Sequence, residues 1–205
     1  MTRRCLGIVT MLLGAATLAG ACSAETAGVA REVPSSGTSQ TSTGNSNSPS
    51  SQPRLSPPIE RPRLDLAAAK ENPCSLLSDS FMKSYGSFRP GKVGDDRGIR
   101  QCEFDPTTSD SPLVTLQIFI NSGGLEGAYQ RRARFTSFVP GQVRGYASVQ
   151  TANANGPGNC AISVGVNDAD LLQVDISATP GTPNFGTPCA PVVPIINETV
   201  QMAGG

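Results

Sequence analysis

The sequence predicts an α+β domain in which helices pack on an antiparallel sheet, and three features carry that expectation. Residues 113–120 (LVTLQIFI) read as a strand, with Val114, Leu116, Ile118 and Ile120 on one face and Thr115 and Gln117 on the other. Residues 160–166 and 171–177 are two apolar runs around Asn167-Asp168-Ala169-Asp170, turn residues that predict a hairpin. Helix signals stand before, between and after these strands, so the order αα-ββ-α-βββ-α emerges rather than a βαβ alternation.

Taken in order, the globular composition begins at about Leu64. Asn72-Pro73 places a capping residue before a proline at the first helical position and predicts a short helix to Leu77. Ser78 caps a second helical piece over residues 79–85. Residues 86–98 (GSFRPGKVGDDRG) predict a loop or a weak edge strand, and residues 99–104 a short strand. A turn at 121–124 leads to a helix over 125–135, with Leu125, Ala128, Tyr129 and Phe135 toward the core. Residues 143–149 predict a further strand. After a Pro/Gly loop, Cys189 opens a C-terminal helix to Met202, with Pro191 in its first turn and Pro194 expected to kink it or delay its start. Some 140 residues suffice to bury about two-thirds of the unfolded surface.

The start of the chain addresses location. Arg3 and Arg4 precede an uncharged apolar run over 6–19. As a helix that run spans about 21 Å, short of the roughly 30 Å hydrocarbon core, which makes it an export signal rather than a membrane span. It ends in Leu18-Ala19-Gly20-Ala21-Cys22, which resembles the lipobox of bacterial lipoproteins. The resemblance implies cleavage after residue 21 and lipid on the Cys22 sulfur, with Ala19 where the commonest form has Leu. The alternative is an ordinary A-x-A cut that leaves Cys22 as a free thiol. Two acyl chains anchor stably where one is marginal. Residues 22–63 are expected to form a tether. From 34 to 58 every residue is Ser, Thr, Gly, Asn, Gln or Pro, Arg54 and Leu55 excepted. Such a segment cannot offset its ordering entropy by burial. The expected organisation is therefore a signal over 1–21, a tether over 22–63 and a domain over 64–205.

Of six cysteines, Cys5 lies in the signal and Cys22 at the anchor, which leaves Cys74, Cys102, Cys160 and Cys189. An even number in an exported chain predicts two disulfides. Three pairings are open. Cys74–Cys102 with Cys160–Cys189 is favoured because near neighbours close with the least entropy loss. A four-thiolate metal site is the alternative, but no CxxC spacing supports it and no metal is expected.

Asn72-Pro73-Cys74-Ser75-Leu76-Leu77, then Cys102-Glu103-Phe104, a cysteine-led strand and Cys189 opening an apolar helix resemble the actinobacterial lipoproteins of the domain of unknown function 3558 family. That family typically shows Asp-Pro-Cys and Cys-x-Trp where this chain has Asn72 and Phe104. The resemblance, over about 70–203, implies an envelope lipoprotein and a fold related to PsbP-like α+β domains. It supplies no catalytic residues.

Composition narrows the chemistry. The chain has no His, which removes imidazole bases and His-bound zinc. Sixteen basic and sixteen acidic residues balance, so no general positive field marks a nucleic-acid binder. Gly86 to Lys92 fits G-x4-G-K, but Val93 stands where Mg²⁺ binding needs Ser or Thr, and a Gly-rich loop is the plainer reading. Asp95-Asp96 and Asp168/Asp170 could offer oxygen ligands to Ca²⁺, yet they are also what turns use. Nothing in the spacing pairs Glu103 or Asp105 with Asp175 or Glu126 for hydrolysis. Arg131, Arg132 and Arg134, with Arg144, form a basic contact patch for wall polymer, lipid headgroups or an acidic protein, weighed against a merely solvated face. No cofactor is expected. The expectation is a non-catalytic ligand- or protein-binding module, lipid-anchored on the outer face of the cell membrane, with an envelope hydrolase or an accessory subunit as alternatives.

Overall fold

The computed structural model describes residues 53–152 and 156–205. The signal, Cys22 and the first thirty or so tether positions lie outside the described residues. The elements are α1 (Ala67–Glu71), a 3-10 helix (Pro73–Leu76), α2 (Asp79–Met82), β1 (Lys92–Asp96), β2 (Ile99–Phe104), β3 (Leu113–Phe119), α3 (Gly124–Gln130), a 3-10 turn (Arg132–Arg134), β4 (Ser137–Val143), β5 (Tyr146–Ala152), β6 (Asn159–Gly165), β7 (Leu171–Ser177) and α4 (Cys189–Met202).

Seven strands form one sheet in the order β1-β2-β3-β7-β6-β5-β4, antiparallel throughout. It consists of two meanders, β1–β3 and β4–β7, joined by α3. The last strand closes the sheet by pairing with β3 along seven residues, from Leu113↔Ser177 to Phe119↔Leu171. The fold is thus the α+β class that the sequence predicts.

Alternation on the central strands makes the core. Cys102, Phe104, Val114, Leu116, Ile118, Val174 and Ile176 point to one face and are buried there. α4 covers this face with Val192, Ile195, Ile196 and Val200, and the N-terminal segment adds Leu66, Leu76, Leu77 and Met82. The opposite face is covered only at one side, where Leu125 and Ala128 of α3 pack on Ala147 and Val149. The rest of it is a polar ladder. Ser163 Oγ donates to Gln173 Oε1 (2.6 Å), Gln173 Nε2 to Gln117 Oε1 (3.1 Å) and Gln117 Nε2 to Gln101 Oε1 (3.4 Å).

Both disulfides form between near neighbours, Cys74–Cys102 and Cys160–Cys189, with Cα separations of 5.0 and 5.2 Å. The first ties the 3-10 helix to β2, and the second ties β6 to the first turn of α4. Pro194 lies inside α4 without delaying its start; the helix begins at Cys189 and gives up one main-chain hydrogen bond at the proline.

Several expectations need correction. The run predicted as one strand over 143–149 spans a hairpin, because Arg144 (φ 50°) and Gly145 (φ 81°) make the left-handed two-residue turn that joins β4 to β5. β4 itself escaped the sequence reading because Pro140 and Gly141 disfavour a strand; as an edge strand it tolerates both. Residues 92–96 are the edge strand β1, joined to β2 by a similar turn at Arg97 and Gly98. α1 was not expected; Asp65 Oδ1 accepts the Ala67 N–H (2.9 Å) and starts it. The helix expected over 125–135 ends at Gln130 and continues only as a 3-10 turn. The described end of the expected tether lies on the domain. Ser56 is buried, Ile59 packs on the core, and Tyr146 Oη donates to the Pro62 carbonyl (2.8 Å).

Candidate functional site

A pocket of about 360 Å³ opens at the end of the sheet where β3 begins and β7 finishes, on the face that α4 covers. Its floor is apolar: Phe88, Val114, Ile176, Ala178 and Ile195 are all buried. Pro183, Pro188 and Pro191 form one wall, and Tyr85, Thr108, Asp110 and Asn184 stand at the rim. The Ser111 hydroxyl accepts the Ser87 N–H (3.0 Å), which leaves its proton free to donate. No Lys or Arg lines the pocket, and Asp110 is its one carboxylate. The volume and apolar lining with a few polar groups are those of a small-molecule site. A neutral or cationic apolar ligand fits this chemistry; an anionic group would meet no counter-charge.

Three separate stretches build the site. Residues 85–88 are held by Arg89 N donating to Asp105 O (2.9 Å) and by the Phe88↔Pro106 bridge. Residues 108–112 form the β2–β3 connection. Residues 178–191 run into α4, fixed at one end by Ala178 N donating to Gly158 O (2.9 Å) and at the other by the Cys160–Cys189 disulfide. Sequence reading missed this site because its residues are ordinary loop and core types that only the tertiary fold brings together. The prolines of the last stretch were the available signal.

The arginines divide. Arg131, Arg132 and Arg134 lie together, exposed, on the turn between α3 and β4. Arg144 sits at the far end of β4, seven residues or about 20 Å away, where its Nε donates to the Gly205 carbonyl (3.3 Å). It is not part of the same patch.

The carboxylates have local work. Asp168 accepts from Arg54 (2.9 Å) and Arg63, and these contacts, led by the Arg54 hydrogen bond, hold it below its ordinary range. Burial acts to raise the Glu126 carboxyl, but the Ser56 and Leu55 N–H groups and Gln130 outweigh it and leave it lowered. Asp170 accepts from Asn121 N (2.8 Å) and Asn167 Nδ2 (2.8 Å), and Asp95 accepts from Gly98 N (2.8 Å). Among the described residues no three Asp, Glu, Cys or His side chains converge as a metal site. The G-x4-G-K stretch runs extended into β1 and does not lead into a helix. Gly91 instead permits close packing, since a β-carbon there would lie 2.9 Å from Cys102 Sγ.

Asp175 is different. It sits half-buried on the polar face of β7, and that burial pushes its carboxyl up to about 6, against the opposing hydrogen bond from Gln173 (2.7 Å). Glu103 is on the same face two strands away, across Thr115, at about 10 Å between backbones.

Fold and site together define an antiparallel α+β domain, stapled by two disulfides, with an apolar pocket at one end of its sheet. The family described as "Protein of unknown function (DUF3558)" matches residues 17–202, and the chain belongs to it. No curated protein matches the chain. No solved structure matches it.

Proposed function

We propose that this protein is a non-catalytic binding module, held by lipid on Cys22 to the outer face of an actinobacterial cell membrane, that takes a small, mostly apolar, neutral or cationic ligand. The pocket between α4 and the sheet carries the ligand reading: it has an apolar floor, a few polar rim groups and no basic residue. The apolar run over 6–19, the small residues before Cys22 and the disulfides support an exported, anchored chain.

A neutral apolar dye such as N-phenyl-1-naphthylamine tests the pocket. Ala178 lines it and is 8% exposed, so Ala178→Phe places a ring in the cavity. Saturable dye fluorescence with the native protein, lost in this variant while its circular dichroism is kept, is the expected result. Equal binding by both proteins removes the pocket from the proposal. The mass of the Cys22 peptide from the native membrane protein tests the anchor, and an unmodified thiol defeats it.

A hydrolase is the second reading, favoured by Asp175 and Glu103 sharing one face, with Asp175 at a pKa suited to a general acid. The polar face around them is broad and holds none of the described pockets, which places this reading second. Loss of a cellular function in Asp175→Asn with folding intact would favour it.

A further inference from the structure

The half of the sheet built from β4, β5 and β6 carries charge of one sign. Residues 127–167 contain four arginines and no Asp, Glu or Lys. Three of them, Arg131, Arg132 and Arg134, stand exposed on one turn, and among the described residues none forms an ion pair. Aromatic rings lie beside them. The Arg132 guanidinium is 5.3 Å from the centre of the Phe138 ring, which meets Tyr129 edge-on at 5.0 Å and Phe135 at 6.0 Å. Phe135 and Phe138 are partly exposed and, with Arg132, Ala133 and Thr136, line a shallow hollow.

The geometry points to a docking surface for an anionic phospholipid membrane. Arg131, Arg132 and Arg134 meet the headgroup phosphates, and Phe135 and Phe138 sit at the boundary between headgroups and acyl chains. Free guanidinium groups bind phosphate in two-pronged fashion and have no carboxylate to give up first. Half-exposed aromatic rings favour this depth of the bilayer. Near an anionic surface each cation is worth about fivefold in partition, so three give about a hundredfold. The surface also orients the pocket. Thr136 lines a second hollow together with Pro188, and Pro188 is part of the pocket wall, so the patch and the pocket occupy the same end of the sheet. A docked domain turns that end toward the membrane. The inference deepens the anchored-module reading and draws on it only for the presence of a membrane; contact with lipid phosphates does not need an acyl group on Cys22.

The test is hydrogen–deuterium exchange on the full chain, reconstituted in phosphatidylcholine vesicles with and without phosphatidylglycerol. Residues 130–138 should exchange at least about tenfold more slowly on the anionic vesicles. That protection should vanish in 1 M salt and in the Arg131→Ala/Arg132→Ala/Arg134→Ala variant, whose thermal transition should be unchanged because all three side chains are exposed. Equal exchange on both vesicles, or protection that survives the triple substitution, overturns the proposal. Protection by soluble inorganic polyphosphate with none from phosphatidylglycerol also overturns it, and makes the partner an anionic polymer. The mass of the Cys22 peptide from the same preparation reports the anchor separately, so failure of one is not failure of the other.

Discussion

Arg54 and Asp168, 114 positions apart in sequence, form an ion pair of 2.9 Å that clasps the start of the described chain to the β6–β7 turn. Arg63 reaches the other Asp168 oxygen, and one Glu126 oxygen accepts the N–H groups of both Leu55 (3.0 Å) and Ser56 (2.8 Å). Two lowered carboxyls thus hold the strap. A lowered carboxyl contributes its stabilisation fully above its ordinary pKa and loses it as pH falls through the lowered value. The Leu55 and Ser56 amide resonances should therefore stay fixed from pH 8 to about 5 and move toward solvent-like shifts below about pH 4. The strap, being exposed, should release without global unfolding. Arg54→Ala should cost no more than about 1 kcal/mol.

The two disulfides close loops of 28 and 29 residues, each worth about 3–4 kcal/mol by chain-entropy reasoning. Their losses should differ in kind. Cys160→Ala/Cys189→Ala frees the first turn of α4 and the wall of the pocket, so dye affinity should fall along with stability. Cys74→Ala/Cys102→Ala loosens the N-terminal helices and should lower stability while leaving dye affinity closer to native. Thermal melts and dye titrations on both double variants check this.

Legibility in the sequence followed how local the cause was. β2, β3, β6 and β7 were readable because period-two alternation on a buried strand is written directly into Val114, Leu116 and Ile118 or into Leu172, Val174 and Ile176. The Ser78 cap was readable because Ser78 Oγ accepts from Phe81 N, three residues on (3.1 Å). β4 was not, because its edge position, which excuses Pro140, belongs to the sheet and not to the segment. Arg144-Gly145 concealed a turn since neither the apolar run nor the arginine signals one. The strap read as tether because only distant partners, Glu126, Asp168 and Tyr146, reward ordering it. Of the candidate sites, the arginine triad was visible as a run, while the pocket depends on three stretches that share nothing in sequence.

Asp175 should weaken the fold at neutral pH. Its carboxyl is raised from 3.8 to about 6 by burial. Between those values the folded state keeps a proton that the unfolded state has lost, so stability falls as pH rises across the window and stays reduced above it. Asn at this position keeps an acceptor for Gln173 Nε2 and carries no charge. Asp175→Asn should therefore be more stable than the native chain at pH 7 by about 1–2 kcal/mol, once its partial exposure is allowed for. The difference should shrink from pH 6 downward and disappear near pH 4. Urea denaturation at pH 4, 5, 6 and 7 measures it, and a difference independent of pH would show that the carboxyl is not desolvated.

Gly158 is where backbone crowding meets the pocket. A β-carbon there would run into the Ala178 carbonyl oxygen and stand 2.7 Å from the Phe185 ring. The carbonyl is main chain and cannot swing aside, and its residue is already fixed by Ala178 N donating to Gly158 O (2.9 Å). Gly158→Ala must then push the 178–185 stretch outward, which moves Ala178 and Pro183, two residues that line the pocket. The expected cost is about 1–3 kcal/mol from overpacking, together with weaker dye binding. Gly186, in the same stretch, has open space around its missing β-carbon, so Gly186→Ala should leave both stability and dye affinity near native. If the two alanines behave alike in melts and titrations, close approach at Gly158 is not what positions this wall.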